Sequence, residues 1–371
     1  MRLRNYQIDA VRSVVRGFKE HDSLLCCLPT GTGKTVILSH IVKLATKGRV
    51  LVIAHREELI EQLAATIRNL GLDVGIEMAE RRATEQWWTP PQVVVATVQT
   101  LVANERRRLE ELVPEPDLWS LTIVDEAHHA PAQTYLQILD HMRQNDSHRI
   151  LGVTATPDRA DETAMGAVFD HVAFEYGTDT AIQDGWLVPV KQHAVVVDGL
   201  SYAKVRTTAG DLNGKDLAKV MEEEQTLHRM SVPTFELADG RPTVMFCVSV
   251  EQAERMADIF NRMDPNCARS VSGKTPKDER RKLFRDYADG KFQILTNCMV
   301  ASEGWDAPHV QVVALARPTK SRALFAQMVG RGLRPLPGTV DPHLEAEDRK
   351  VSIATSAKPA CDVLDYAGNA G

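Results

Sequence analysis

Several classes are excluded by what this chain lacks. Its six cysteines, at 26, 27, 247, 267, 298 and 361, include no C-x-x-C pair. A zinc ribbon or four-cysteine iron–sulfur site is therefore not built in, and core thiols in a reducing compartment are expected. No apolar run approaches the ~18–20 residues of a membrane span, and Met1-Arg2-Leu3-Arg4 opens no signal-peptide core. A cytoplasmic protein without a membrane partner is expected. Aromatic residues are only 5%, and basic charge is not in excess: 44 Lys and Arg face 50 Asp and Glu, for a net charge of −6. That balance argues against a basic coat but leaves open a locally basic groove on an acidic body. The remaining composition, 43% hydrophobic and 25% charged over 371 residues, is that of an ordinary globular chain long enough for two or three domains.

The most informative stretch is Leu28-Pro29-Thr30-Gly31-Thr32-Gly33-Lys34-Thr35. An apolar run (Leu24, Leu25, Cys26, Cys27) precedes it, and apolar residues at helical spacing (Leu38, Ile41, Val42, Ala45) follow. Strand, glycine loop and helix in that order form a phosphate-binding loop, in which backbone N–H groups and a helix N-terminus favour an anion. Lys34 would meet the β- and γ-phosphates, and the Thr35 hydroxyl would ligate Mg²⁺. Leu28 stands where the generic pattern has glycine, a shortened form that points to a helicase-type loop. Upstream, Tyr6 and Gln7 come just ahead of an amphipathic helix (Ala10, Val11, Val14, Val15, Phe18). The Gln7 amide both donates and accepts, and with a phosphate loop downstream it is a candidate reader of an adenine edge.

Buried strands then alternate with helices. Val50–Ala54 ends in His55-Arg56-Glu57-Glu58, and Val93–Ala96 ends in Thr97-Val98-Gln99-Thr100. Leu121–Val124 ends in Asp125-Glu126-Ala127-His128, and Ile150–Val153 ends in Thr154-Ala155-Thr156-Pro157. Polar clusters at strand ends are the ligand positions of a doubly wound parallel sheet. Asp125 is positioned to hold Mg²⁺ with Thr35, and Glu126 to orient and deprotonate an attacking water. His128 and His129 lack the nearby Cys or third His of a metal site. Residues 103–119, with Arg106-Arg107-Arg108, read as a loop; with Trp87-Trp88 they could serve a single-stranded path, a solvated loop being the commoner explanation.

Ala181–Pro189 reads as a helix end, a glycine stop and a proline, hence a domain junction, and residues 199–240 as a helical, partly exposed connector. A second α/β unit follows, with strands expected at 243–247, 294–296, 310–315 and 363–366 and no second phosphate loop. It carries Ser302–Pro308 and Gln327–Pro335. Arg331 and Arg334, three apart, would share a face if helical and could meet the γ-phosphate of ATP.

With these residues the chain resembles the superfamily 2 helicases and translocases over nearly its whole length. Gln7 matches the Q motif, Leu28–Thr35 motif I, His55-Arg56-Glu57 motif Ia and Asp125–His128 the DEAH box; Thr154–Thr156 matches motif III, Glu303–Asp306 motif V and Gln327–Arg334 motif VI. Ile182-x-x-Gly185-x-Leu187, Gly304–Pro308 and the Gln-led motif VI are most similar to the branch of type III restriction motor subunits, XPB-like helicases and RadD-type repair proteins. The ending Leu364–Asn369 looks like the RadD type, although no cysteine-rich extension or nuclease domain follows it here. A shortened chain or a compact phage or bacterial relative is expected.

The resemblance implies an α/β fold of two tandem RecA-like domains, 1–187 and 188–371, with an ATP cleft between them. ATP and Mg²⁺ are the implied cofactors. Tyr6, Gln7, Pro29, Thr30, Gly31, Thr32, Gly33, Lys34, Thr35, Gly304, Asp306 and Gln327 would bind nucleotide, with Lys34, Asp125, Glu126, Arg331 and Arg334 catalytic. His128, Thr154 and Thr156 would couple the cleft to the strand, and His55, Arg56, Thr97, Gln99 and Thr296 would contact nucleic acid. The implied protein is a DNA helicase or translocase, acting on a single strand or junction as a monomer, with a single-strand binding protein or nuclease as a possible partner. A duplex translocase and an ATP-switched docking module are the alternatives.

Overall fold

The computed structural model describes residues 3–55, 57–84, 91–155, 165–195, 205–208, 211–301, 305–366 and 368. Contacts divide the chain into Met1–Thr178 and Asp179–Gly371. In the first unit, strands β1 (Ser23–Cys27), β2 (Arg49–Ala54), β3 (Val74–Glu77), β4 (Val93–Thr97), β5 (Trp119–Asp125), β6 (Arg149–Thr154) and β7 (His171–Glu175) pair in the order β3-β4-β2-β5-β6-β1-β7. All pairs are parallel. β1 and β4 are buried along their whole length, as expected of strands covered on both faces.

Helices α1 (Asn5–Gly17), α2 (Lys34–Leu44), α3 (Glu57–Arg68), α4 (Val98–Leu112) and α5 (Gln133–Met142) connect or cover these strands. Tyr6, Gln7, Ala10, Val11 and Val14 form the buried face of α1. Tyr6 and Gln7 thus lie within its first turn rather than ahead of it. Adjacent strands β5, β6 and β1 deliver Asp125, Thr154 and the phosphate loop to one edge of the sheet.

Residues 103–119 are not one loop. α4 continues through them to Leu112, broken by left-handed residues Asn104, Glu105 and Arg106 with φ between 51° and 68°. The arginine triplet is neutralised within the unit rather than left basic: Arg106 faces Glu110 at 3.9 Å, Arg107 Nε bonds Glu111 at 2.8 Å, and Arg108 Nε bonds the buried Glu77 at 2.6 Å. Trp87 and Trp88 lie outside the described residues.

The second unit is built on β8 (Val190–Ala194), β11 (Thr243–Cys247), β12 (Ala268–Ser272), β13 (Ile294–Cys298), β14 (Val312–Ala316) and β15 (Cys361–Asp365). They form a parallel sheet in the order β12-β13-β11-β14-β15-β8. A short hairpin pairs β9 (Thr207–Thr208) with β10 (Asp211–Leu212). Helices α6 (Thr178–Gln183, at the junction), α7 (Gly214–Met221), α8 (Glu224–Ala238), α9 (Val250–Met263), α10 (Lys277–Ala288), α11 (Arg322–Gly330) and α12 (Ala346–Ala354) accompany them.

Two boundaries differ from the sequence reading. Residues 179–187 belong with the second unit, where the Arg349 guanidinium lies 3.9 Å over the Trp186 ring and bonds the Asp184 carbonyl. Within 199–240, α7 and α8 are helical and partly exposed as expected, but they are no mere connector, because Leu217, Met221, Leu227 and Met230 are buried in the second core with Met245 and Phe260. The sequence showed the charges of α7 and α8 but not that their apolar faces are covered.

Two outcomes check this packing. A Cβ on Gly152 would lie 2.5 Å from the Phe169 ring and 2.8 Å from the Ala127 Cβ, so Gly152→Ala should cost about 1–3 kcal/mol; an unchanged urea midpoint contradicts this. His148 is buried against the Thr122 hydroxyl and the Trp119 carbonyl, each at 2.9 Å, and burial holds its imidazole below the usual 6.5. The unfolded chain takes up this proton first, so the His148 contribution to stability is present above 6.5 and is lost as pH falls below it. Unfolding midpoints of wild type and His148→Gln should converge on acidification; parallel profiles contradict the assignment.

Candidate functional site

The phosphate loop is held from three sides. Leu28, fully buried, donates its N–H to the Thr154 carbonyl at 2.9 Å, which ties the loop to the end of β6. The Thr32 hydroxyl donates to the Pro29 carbonyl at 2.7 Å. The Thr32 carbonyl accepts the Tyr6 hydroxyl at 2.6 Å and Gln7 Nε2 at 3.0 Å. Tyr6 in turn stacks on Tyr176, with ring centroids 4.6 Å apart and planes within 5°. Gln7 Oε1 accepts the Arg4 N–H at 2.9 Å, so both ends of its amide are engaged. Each end keeps one further site, an N–H and a lone pair, with which an adenine edge could be read. Gly31 and Gly33 have φ of +89° and +82°, and a Cβ on Gly33 would meet Gln7 Nε2 at 2.7 Å. Glycine is needed there for conformation and for space.

Gly33 caps α2 and its carbonyl accepts the Val36 and Ile37 N–H groups, which leaves those of Lys34 and Thr35 to open toward the loop. Lys34 Nζ is buried and lies 3.5 Å from Glu126 Oε1. Neither Lys34 Nζ, Glu126 Oε2 nor Thr30 Oγ1 has a hydrogen-bond partner among the described residues. Buried polar atoms left without partners are rare; at this helix N-terminus the donors Lys34 Nζ and Thr30 Oγ1 fit a phosphate group, and the acceptor Glu126 Oε2 fits a water beside it. The chemistry of Thr35 and Asp125 fits a hard cation carried with that phosphate. Glu126 is left-handed, at φ 50° and ψ 57°, a conformation costing roughly 1–3 kcal/mol that fixes its carboxylate beyond the end of β5. Burial pushes the neighbouring Cys26 and Cys27 thiols up to about 12, so both are inert core residues at neutral pH.

A polar chain leaves this site along the sheet edge. His128 Nδ1 lies 3.5 Å from Glu126 Oε2 and 3.3 Å from Thr154 Oγ1. The His128 ring faces His129 at 4.1 Å, and His129 faces His55 at 5.2 Å. Gln99 Nε2 donates to His55 Nδ1 at 3.0 Å. The chain ends in an open cleft of about 470 Å³, lined by His55, Thr97, Gln99, Thr100, Asn104 and Arg108 among others. The sequence-selected residues His55, Thr97, Gln99, His128 and Thr154 are thus brought together with Glu126. Arg56 and Thr156 lie outside the described residues.

In the second unit Gln327 is buried, and its Nε2 makes no hydrogen bond among the described residues. Arg331 and Arg334 do not share a helical face, because α11 ends at Gly330 and Arg331 is its C-cap. Gly332 forces the turn: a Cβ there would overlap Cys361 Sγ, 2.2 Å away. Both guanidiniums converge instead on one loop, Arg331 donating to the Trp305 carbonyl and Arg334 pairing with Asp306. Gly304 lies outside the described residues. Thr296 cannot contact a nucleic-acid backbone as expected, since it is fully buried mid-strand and donates to the Ala253 carbonyl at 2.7 Å. Sequence reasoning does not select Tyr176, because nothing in the sequence pairs it with Tyr6.

Residues 1–159 match the family model of the type III restriction enzyme res subunit, and residues 222–335 that of the helicase conserved C-terminal domain. The chain is 30% identical over 351 residues to a protein named as an ATP-dependent helicase, IRC3 of Saccharomyces cerevisiae, covering 90% of this chain and 49% of that one. Its namesake in Schizosaccharomyces pombe, named as a mitochondrial ATP-dependent helicase, is 30% identical over 350 residues, covering 90% and 55%. The chain therefore spans about half the length of these curated relatives. Among solved structures, a fragment assigned as an HsdR subunit of a type I restriction enzyme from Vibrio vulnificus YJ016 superposes with a TM-score of 0.72 at 23% identity, covering 98% of this chain and 64% of that one. Among the described residues no helix is long and apolar enough to cross a membrane. Two parallel-sheet units of the RecA type, a res-subunit domain over 1–159 and a helicase C-terminal domain over 222–335 make the chain similar to the superfamily 2 helicases.

Proposed function

We propose that the protein is a nucleic-acid-dependent ATPase that couples hydrolysis to movement along DNA, on a single strand or junction, in repair, recombination or other phage or bacterial DNA metabolism. The observation that carries the reading is the buried Lys34 ammonium facing Glu126 at the N-terminus of α2, with Nζ, Glu126 Oε2 and Thr30 Oγ1 making no hydrogen bond among the described residues. The names of the relatives and the family models support the same activity.

In this reading Lys34 and the α2 N–H groups take the β- and γ-phosphates, while Tyr6 and Gln7 hold the loop in shape. Mg²⁺ would neutralise phosphate charge, held by Thr35 and Asp125. Glu126 orients water in line with the γ-phosphate and accepts its proton. Arg331 and Arg334 supply positive charge to the transferring phosphoryl group, which requires them to leave Trp305 and Asp306. Gln327, Asp306 and Gly304 assist nucleotide binding. His128 and Thr154, with Thr156, sense the state of Glu126 and pass it through His129 and His55 to the cleft. There His55, Arg56, Thr97 and Gln99 meet the nucleic-acid backbone, giving salt-sensitive and largely sequence-independent binding.

The test is ATP hydrolysis by wild type and Glu126→Gln with no polymer, single-stranded DNA, duplex DNA or RNA. Single-stranded DNA should raise the wild-type rate roughly tenfold or more, and Glu126→Gln should lower it by about 10²–10⁴. A response to duplex alone makes the protein a duplex translocase. Indifference to every polymer contradicts the motor reading and leaves an ATP-switched docking module.

A further inference from the structure

Lys358 lies in the turn between α12 and β15, in none of the segments to which a role has been given. Its side chain is fully buried. A lysine ammonium is among the most costly groups to remove from water, and it is retained in an interior where it is hydrogen-bonded to something specific. Here Nζ donates to the Pro308 carbonyl and to the Arg334 carbonyl, both at 2.7 Å. Pro308 belongs to the loop that presents the Trp305 carbonyl and the Asp306 carboxylate, and Arg334 to the segment that presents both arginines. The same two segments also meet through Arg331 on the Trp305 carbonyl and Arg334 on Asp306.

These contacts differ in permanence. The Arg334 and Asp306 side chains are roughly half exposed, and such a pair is weak and easily exchanged. The Lys358 bonds are buried and made to backbone, so they hold the segments in register whether or not the guanidiniums are engaged. We propose that Lys358 is a positioning residue for Arg331 and Arg334: its ammonium fastens the two segments together and so fixes where the guanidiniums are presented. The inference rests on the reading that these arginines act on ATP.

Charge state matters to such a fastening. Burial presses the Lys358 ammonium down to about 8; Arg334 presses it the same way, while Cys361 and Asp306 oppose. The charged form therefore dominates below about 8 and is lost as pH rises through it. Of the other groups facing it, His309 is held below 6.5 by burial and is already neutral there, and burial pushes Cys361 up to about 12, leaving it protonated. Neither accounts for a transition near 8.

The experiment compares wild type with Lys358→Met, which keeps the length of the side chain and removes its donors. Hydrogen exchange in the full chain should quicken at 305–309 and 331–335 while β11, β13 and β14 keep their protection. In polymer-stimulated ATP hydrolysis kcat should fall about tenfold or more with KM for ATP within about twofold. Wild-type kcat should decline as pH rises through about 8, and that limb should be missing from the variant. Wild-type exchange and kcat in Lys358→Met overturn the proposal. So does protection lost evenly across the second unit, which marks a purely structural lysine. If Lys358→Met does not fold, Lys358→Gln, which keeps one donor without charge, takes its place, and a wild-type kcat flat across pH 8 overturns the proposal. Should no polymer stimulate the wild type, the motor reading fails separately and the exchange pattern still judges the fastening.

Discussion

The first unit is arranged around a buried cation and a buried anion that do not quite meet. Lys34 Nζ and Glu126 Oε1 are 3.5 Å apart, and Nζ makes no hydrogen bond among the described residues. Two charges withdrawn from water are tolerated only with close partners, so this pair is incomplete as it stands. A phosphate at the α2 N-terminus would give Lys34 the partner it lacks and free Glu126 to act on water. Much of the surrounding structure keeps both groups in place. Tyr6 and Gln7 brace the loop through one carbonyl, β6 anchors Leu28, and a strained backbone aims Glu126.

In the proposed reading, a similar set of exchangeable contacts carries the state of the site outward. Glu126 is the first member of a chain through His128, His129 and His55 to Gln99 at the cleft. The links are ring contacts, a moderate hydrogen bond and, between Glu126 and His128, a 3.5 Å approach, each weak enough to be remade if Glu126 changes partner. In the second unit the arginines are likewise engaged in exchangeable contacts above a buried fastening.

Much of this was legible in the sequence because parallel strands buried on both faces must be apolar throughout. Leu24–Cys27, Val93–Ala96 and Leu121–Val124 have that form, and the polar residues after them had to be strand ends. Edge strands were not legible: β3, β7 and β8 lie at the borders of their sheets, and His171–Glu175 and Val190–Ala194 are largely exposed, with at most three apolar residues in a row. The arginine triplet misled for a related reason. Its charges suggested solvent or a strand path, but the partners Glu77 and Glu111 lie on other parts of the chain or one helical turn away. The P-loop and DEAH residues were readable as chemistry, whereas the Tyr6–Tyr176 stack, the burial of Thr296 and the reach of Lys358 to two carbonyls are tertiary facts with no local signal.

The central claim is that Lys34 exchanges Glu126 for phosphate, and equilibrium binding of Mg·ATP tests it most directly. Calorimetric titration of wild type, Glu126→Gln and Lys34→Met separates the two partners. The account expects Glu126→Gln to bind at least as tightly as wild type, since it removes the competing carboxylate, while Lys34→Met loses about tenfold or more. If Glu126→Gln weakens binding as much as Lys34→Met does, the two residues hold nucleotide together and the exchange does not occur.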